Sequence, residues 1–414
     1  MTGFSTINGR LSADAVPLPA IAEAAGTPAY VYSASLVRER YRSFDRAFAG
    51  HPHAVHVALK ANSTLAIVRL LHELGADMDA NSIGEIAVAR RAGVQPSEIV
   101  FTGVGKTDAE LSHAIALGIK AINAESPGEL ERVADIARAQ RTTARVALRV
   151  NPDVDAKSHP HISTGLKQNK FGVPLETVPA LCRWAAVQPT LRLVGLHVHI
   201  GSQLLDVTPL ARVAETLASL ARTLADDGIA LEYLDVGGGL GVAYEGGDAP
   251  TFERYAETLL QILAPVGLPL VLEPGRVILA PTGVLLTRVV DVKSQGGDRE
   301  VVVVDAAMTD LLRPALYGAF HRIEPVIETA DRPPKSVDIV GPVCETSDSF
   351  GIGRTLPAPR VGDLLAIRDV GAYGIVMASN YNRRLMPPEI LVDGDGWQIV
   401  RRRQTIDDLI GLEA

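Results

Sequence analysis

The sequence predicts an α/β protein: a TIM-type (β/α)8 barrel with a second, mostly β domain formed by the C-terminal part plus the N-terminal segment. Three observations carry this. Short apolar, β-rich runs alternate with helical stretches, eight such runs follow one another, and the rhythm changes after Pro281. A doubly wound sheet would alternate in the same way, so the count of eight is what favours a barrel. The expected boundaries are 36–281 for the barrel and 1–35 with 282–414 for the β-rich domain.

The runs occupy 55–60, 76–82, 99–103, 121–125, 146–151, 194–201, 233–239 and 268–275, with amphipathic segments such as 65–74, 84–92 and 210–226 between them. Their ends are polar or glycine: Lys60 and Asn62, Asn81 and Ser82, Thr102 and Gly103, Glu125, Asn151, His199 and Ser202, Gly237 to Gly239, then Glu273 and Arg276. Any strand must end in something polar, which explains the Asn, Ser and Gly. It explains poorly a Lys, a His, a Glu and an Arg converging on the rim where barrel enzymes keep their chemistry.

Past Pro281, 301–305, 337–340 and 364–368 are strand-like without regular helices between them. The segments 390–392 and 398–402 flank Asp393-Gly394-Asp395-Gly396, a hairpin turn signal. Tyr30-Val31-Tyr32 comes too early for the barrel count and is expected to pair with this β domain.

Composition excludes several classes. Of the 414 residues, 47% are hydrophobic and 21% charged, which excludes wholesale disorder. A formal charge of −8 argues against a non-specific nucleic-acid binder. Two cysteines, Cys182 and Cys344, cannot form a disulfide framework and suit a reducing compartment. The N-terminal residues lack a signal-peptide pattern, and no apolar run approaches the ~18 residues of a membrane span. A cytoplasmic protein without membrane or nucleic-acid partners is expected.

Four rim features converge chemically. Lys60, in Ala58-Leu59-Lys60-Ala61-Asn62, is an amine at an apolar mouth, where desolvation lowers its pKa and suits Schiff-base chemistry; on its own it could be an ordinary solvated lysine. Gly237-Gly238-Gly239-Leu240-Gly241 ends the seventh run and Pro274-Gly275-Arg276 the eighth, the usual place for a barrel's phosphate site. The dinucleotide spacing is missing. Glu273 could pair with a protonated ring nitrogen. One histidine of His197-Val198-His199 would point inward and could lie on a planar cofactor. His-x-His can also bind a metal, but no Asp/Glu/His set completing such a site is evident, so no metal is expected. A lysine, a phosphate cradle, a carboxylate and an imidazole are what pyridoxal 5'-phosphate (PLP) requires.

The sequence resembles the fold-type III PLP-dependent decarboxylases, the family of ornithine, diaminopimelate and arginine decarboxylases, over nearly the whole chain. The motifs are those around Lys60, Gly237 to Gly241 and Glu273 to Arg276, with Asn169-Lys170-Phe171-Gly172, His199-Ile200-Gly201-Ser202-Gln203, Arg313-Pro314-Ala315-Leu316-Tyr317, Cys344-Glu345-Thr346-Ser347-Asp348 and Gly371-Ala372-Tyr373. His159-Pro160-His161-Ile162-Ser163-Thr164-Gly165 and Arg401-Arg402-Arg403-Gln404-Thr405 look like the diaminopimelate branch.

The resemblance implies that Lys60 carries the cofactor with Asp79 near it, that His199 stacks on the ring, and that Glu273 keeps the ring nitrogen protonated. It implies that Ser202, Gly238, Gly239 and Gly275 bind phosphate, with Arg276 and Tyr373 also at the cofactor. Arg276, Arg313 and Tyr317, with Tyr373 beside them, would take the substrate's distal carboxylate, and Glu345 its distal ammonium. Cys344 would be the general acid, delivered with Glu345 from the partner subunit of a homodimer. The implied reaction is decarboxylation of meso-2,6-diaminopimelate to L-lysine and CO2, the last step of lysine synthesis.

Physical chemistry fits these roles. Loss of CO2 leaves a carbanion that a cationic ring delocalises. A thiol is a suitable proton donor. Two arginines and a tyrosine suit a diacid better than a diamine. Read singly, several residues have plainer explanations: Cys344 and Tyr373 as packing, Arg313 as surface, Cys182 as a helix packing face, and 401–403 as a solvated strand end. The segment 79–85 departs from the family's usual form, and His56 stands where Tyr is common; both are expected near the cofactor rim. The alternatives are a sister decarboxylase (ornithine, carboxynorspermidine, or a siderophore or antibiotic precursor), a racemase or cofactor-free lyase on the same barrel, and a regulatory pseudoenzyme. The polar loop 153–172 is a candidate lid.

Overall fold

The computed structural model describes residues 2–154, 164–165, 169–296 and 299–413. They form two compact units. One comprises Tyr41–Ala243 with Asp248–Val277; the other comprises Met1–Arg40, Tyr244–Gly247 and Ile278–Ala414.

The first unit is a closed barrel of eight parallel strands: His53–Ala58, Asp77–Ala80, Ile99–Phe101, Ala121–Ala124, Ala144–Asn151, Leu191–Val198, Tyr233–Asp235 and Leu270–Leu272. Each pairs with the next in sequence, and the eighth returns to the first in the register Leu270↔His53. A short extra strand, Val173–Pro174, pairs with the fifth. All eight runs expected from the sequence are strands here.

Helix punctuation explains the alternation. Ser82 accepts the amide of Glu85, and Ser126 that of Glu129, each opening a helix. Thr107 and Glu110 form a reciprocal capping box. Gly93 and Gly118 close helices in the left-handed conformation that residues with a Cβ resist. Buried faces such as Leu210, Val213, Leu217 and Leu224 of Thr208–Asp226 pack the helices on the barrel.

The second unit is built on a sheet ordered Ser349–Pro357, Pro334–Val340, Glu300–Val304, Gly283–Ser294, Ala29–Ser33, Glu389–Asp393, Gly396–Arg401. Ala29–Ser33, the strand of Tyr30 and Tyr32, joins it as expected, antiparallel to Gly283–Ser294 and parallel to Glu389–Asp393. The hairpin after Asp393 is present, with Gly394 at φ 64. A separate three-stranded sheet near the N-terminus (Phe4–Ile7, Arg10–Ala13, Val16–Pro17) was not foreseen. Its Leu11, Ala13 and Val16 share a core with Val284, Leu286 and Ile390.

Candidate active site

The barrel's C-terminal rim collects the expected cofactor residues other than Tyr373. Lys60 follows the first strand, and its Nζ donates to Asp79 Oδ2 at 2.8 Å. Asp79 is fully buried, and its other oxygen accepts from Asn81 Nδ2 at 3.1 Å. The lysine side chain keeps 31% exposure, so its amine is both paired and reachable.

After the seventh strand the chain runs so close to its neighbours that only glycine fits. A Cβ on Gly238 would lie 2.1 Å from the Glu273 carbonyl oxygen, and one on Gly237, at φ +65, 2.3 Å from that of Val198. The Gly238 amide donates to His199 Nδ1 at 3.1 Å. Burial, reinforced by the Lys60 and Arg149 cations, holds the His199 imidazole well below its ordinary pKa. His199 is therefore neutral, with its proton on Nε2. Gly239 and Gly275 are also confined, a Cβ on each meeting the Gly201 carbonyl oxygen at 2.7 Å and the Ala61 Cβ at 2.9 Å, respectively. Arg276 donates through Nε and a terminal nitrogen to Ser202 Oγ, at 3.2 and 3.0 Å.

Glu273, just past the eighth strand, is buried. His197 Nε2 lies 3.3 Å from its Oε2, while Oε1 has no hydrogen-bond partner among the described residues. Burial alone would raise the Glu273 pKa. The charge and hydrogen bond of His197, with Lys60, outweigh burial and hold it below the usual carboxylate range. Nearby Asp235 is pushed the other way, by burial and then by the Glu273 charge.

Two sequence expectations are corrected here. His-x-His does have acidic company: His197, Asp235 and Glu273 offer ligand atoms all within 4.8 Å of one another. The set went unseen because its members come from three successive strands, and the register His197↔Asp235 aligns two of them. His56 does not belong to the rim. Its Nε2 meets Asp77 Oδ2 at 3.1 Å and Lys120 Nζ at 3.0 Å. Those residues open the second strand and precede the fourth, so the contact lies toward the barrel's N-terminal end.

Sequence reasoning also missed a second rim feature. Arg149 pairs with Glu125 at 2.6 Å, and Lys106 pairs with Glu129 at 2.6 Å, both deeply buried. Glu125 also accepts the Gly172 amide at 2.8 Å, and Phe171 lies 4.5 Å from the Arg149 guanidinium. The Asn169-to-Gly172 motif is thereby tied to strands four and five. Most of the candidate lid, and of the stretch His159 to Gly165, lies outside the described residues. Thr164 donates to the carbonyl of Ile200 through its amide and to that of His199 through its hydroxyl.

The remaining expected residues belong to the second unit. Arg313 is buried. Its terminal nitrogen donates to His321 Nε2 at 2.8 Å, and its guanidinium lies 4.6 Å from the Tyr244 ring centre. His321 Nδ1 in turn donates to the Arg368 carbonyl at 2.8 Å. Tyr317 is half-buried on the same short helix, Arg313–Tyr317. Cys344 and Glu345 are exposed. Their loop is fixed by Asp348, which accepts the amides of Val343 and Met308 at 2.7 and 2.6 Å. Tyr373 sits at φ 56, a left-handed conformation costing a non-glycine residue about 1–3 kcal/mol. Cys182 is the buried helix residue expected, its thiol pushed up to about 12 by burial.

A reachable lysine, a neutral imidazole, a glycine cradle beside an arginine and a buried carboxylate oxygen awaiting a donor fit pyridoxal 5'-phosphate on one barrel rim. Comparison with known proteins agrees: residues 34–280 match the family model of the pyridoxal-dependent decarboxylases, pyridoxal binding domain. The chain belongs to the pyridoxal-dependent decarboxylases, and pyridoxal phosphate is its cofactor.

Diaminopimelate decarboxylase of Neisseria meningitidis is 46% identical over 403 residues, 97% of this chain and 98% of that protein. The crystal structure of diaminopimelate decarboxylase from Helicobacter pylori complexed with L-lysine superposes with a TM-score of 0.93 at 41% identity, covering 96% of this chain and 99% of that one. Its M. jannaschii counterpart, also with L-lysine, gives 0.95 at 37% identity, covering 100% and 99%. Among the described residues no helix is long and apolar enough to cross a membrane.

Proposed function

We propose that this chain decarboxylates meso-2,6-diaminopimelate to L-lysine and CO2, the last step of lysine synthesis, as a cytoplasmic homodimer, with the barrel as its cofactor-binding domain. One observation carries the cofactor chemistry: Glu273 is buried with one oxygen engaged by His197 and the other without a partner among the described residues, on the rim that presents Lys60. Near-full-length identity to diaminopimelate decarboxylases supports the substrate.

Pyridoxal phosphate, when bound, supplies a cationic ring that takes up the electron pair left on Cα as CO2 departs. Lys60 holds the cofactor through its amine, and Asp79 orients that amine. Ser202, Gly238, Gly239, Gly275 and Arg276 would hold its phosphate, and the family resemblance assigns Tyr373 to the cofactor as well. Glu273 Oε1 would accept a hydrogen bond from the cofactor's ring nitrogen and hold the proton there. His199 offers a neutral face to the ring, because its Nδ1 is committed to Gly238.

Arg313 recognises the distal carboxylate with Arg276 and Tyr317. Its buried, braced guanidinium offers the planar fork a carboxylate matches. Glu345 reads the distal ammonium. Cys344 then delivers a thiol proton to Cα, leaving a thiolate that solvent reprotonates. Exposure of Cys344 and Glu345 supports their service in a partner subunit's site.

The test is CO2 release by purified enzyme from meso-diaminopimelate, ornithine and lysine. Turnover of the diacid alone is expected. Faster turnover of ornithine would replace this reading with that of a sister decarboxylase.

A further inference from the structure

Beneath the rim lies a polar cluster that the steps above use only in part. His197, Asp235 and Glu273 are at most 3% exposed, and their ligand atoms lie within 4.8 Å of one another. Three atoms of the trio lack partners among the described residues: His197 Nδ1, Asp235 Oδ2 and Glu273 Oε1.

We propose that His197 and Asp235 are positioning residues for Glu273: His197 anchors Oε2, Asp235 stands beside it as a neutral acid, and Glu273 Oε1 is left as the cluster's single anionic acceptor. The inference rests on the reading that Glu273 is the partner of the ring nitrogen.

Geometry argues for this division. Two carboxyl groups this close in a dry interior cannot both ionise. Glu273 has the imidazole donor, at 3.3 Å, so the charge belongs there. Asp235 Oδ1 accepts the Gly237 amide at 2.9 Å, so its proton belongs on Oδ2. The opposed pKa directions of the two acids agree with that assignment.

The other titratable or charged groups facing the cluster are Lys60, Asp79, Arg149, His199, Tyr233 and Tyr255. Lys60 and Asp79 neutralise one another. Arg149 is matched by Glu125. Burial raises both tyrosines, which stay neutral. Apart from His197 and the Asp235 acid proton, none among the described residues supplies Glu273 with a further donor. A second anion would let the ring hold its proton regardless of Glu273's orientation. A neutral Asp235 makes that orientation, and hence His197, decisive.

The experiment uses holoenzyme loaded with ring-15N pyridoxal phosphate. It follows the ring-nitrogen NMR signal from about pH 6 to 9, and cofactor dissociation by equilibrium dialysis. Glu273→Gln should move the signal to the unprotonated position. His197→Phe should make it titrate within the range and weaken cofactor retention about tenfold, with His197→Gln, which keeps a donor, restoring both. Asp235→Asn, the isosteric stand-in for a protonated acid, should keep the parent signal throughout.

A shifted signal in Asp235→Asn would show that an anion had been removed, and would overturn the proposal. So would an unchanged His197→Phe alongside a shifted Glu273→Gln. An unchanged Glu273→Gln would instead defeat the underlying pairing. Stoichiometric metal in the purified enzyme, lost in His197→Phe, would make the trio a cation site and also overturn the proposal. Should His197→Phe fail to fold, the two near-isosteric variants decide the matter.

Discussion

Gly238 shows how tightly single residues are specified. Its missing Cβ lets the backbone approach Glu273 to a distance no side chain allows. Gly238→Ala must therefore push the glycine loop away from the eighth strand, and cofactor affinity should fall at least tenfold by dialysis. Arg313 is specified differently. Tyr244 and His321 hold a flat guanidinium in place, and lysine cannot reproduce that fork. Arg313→Lys should raise KM for meso-diaminopimelate about 100-fold, in line with the 2–5 kcal/mol typical of a buried charge contact, while leaving the cofactor's visible spectrum unchanged. Equal KM values for variant and parent would remove Arg313 from substrate recognition. Asp310 makes a pH prediction. Burial pushes its carboxyl up to about 7, against 3.8 ordinarily. The folded state thus binds this proton more tightly than the unfolded chain. The stability it contributes is intact below about pH 4 and is lost as pH rises to about 7. Asp310→Asn should melt like the parent at pH 4 and several degrees higher at pH 8.

At the scale of elements, the ends of strands four and five are joined by buried charge. Glu125 neutralises Arg149 and also holds the Gly172 amide. Removing one partner of such a pair leaves an uncompensated charge and costs about 3–5 kcal/mol. Glu125→Ala should lose that much in denaturant unfolding, and the Glu125→Ala, Arg149→Met double variant should recover part of it. A loss in the double variant equal to the sum of the Glu125→Ala and Arg149→Met losses would mean that the pair is not coupled. The sequence made the eight barrel strands legible because each apolar run is bounded by turn residues and followed by an amphipathic segment. Tyr30-Val31-Tyr32 and the Asp-Gly hairpin were legible for the same local reasons. Gly283–Ser294 was less so: it changes midway from buried to largely exposed, and its pattern resembles no single-faced strand. Ser349–Pro357 is interrupted by Gly351 and Gly353. Partnerships across strands were illegible. His56 finds Lys120, 64 residues away, and His197 finds Asp235 and Glu273 only through barrel register. The motifs identified Lys60, His199 and Glu273 because their spacing is local; His197 and Asp235 required the closed barrel.

For the whole molecule, Lys60, His199, Glu273 and Arg276 lie in the barrel unit, and Arg313, Tyr317, Cys344, Glu345 and Tyr373 lie in the β-rich unit. A homodimer that shares its sites makes a sharp prediction. Lys60→Ala and Cys344→Ala proteins, each inactive alone, should regain activity on mixing, because one site of each heterodimer receives both a lysine and a thiol. No recovery, with subunit exchange verified, would place both groups in one chain's site. The central claim, that Lys60 is the residue joined to the cofactor, is open to direct chemistry. Borohydride reduction of the loaded enzyme fixes an imine as a stable amine, and peptide mass spectrometry then locates it. A phosphopyridoxyl group on the peptide containing Lys60 is the expected result; the same group on Lys106, Lys120 or any other lysine, with Lys60 unmodified, would contradict the account.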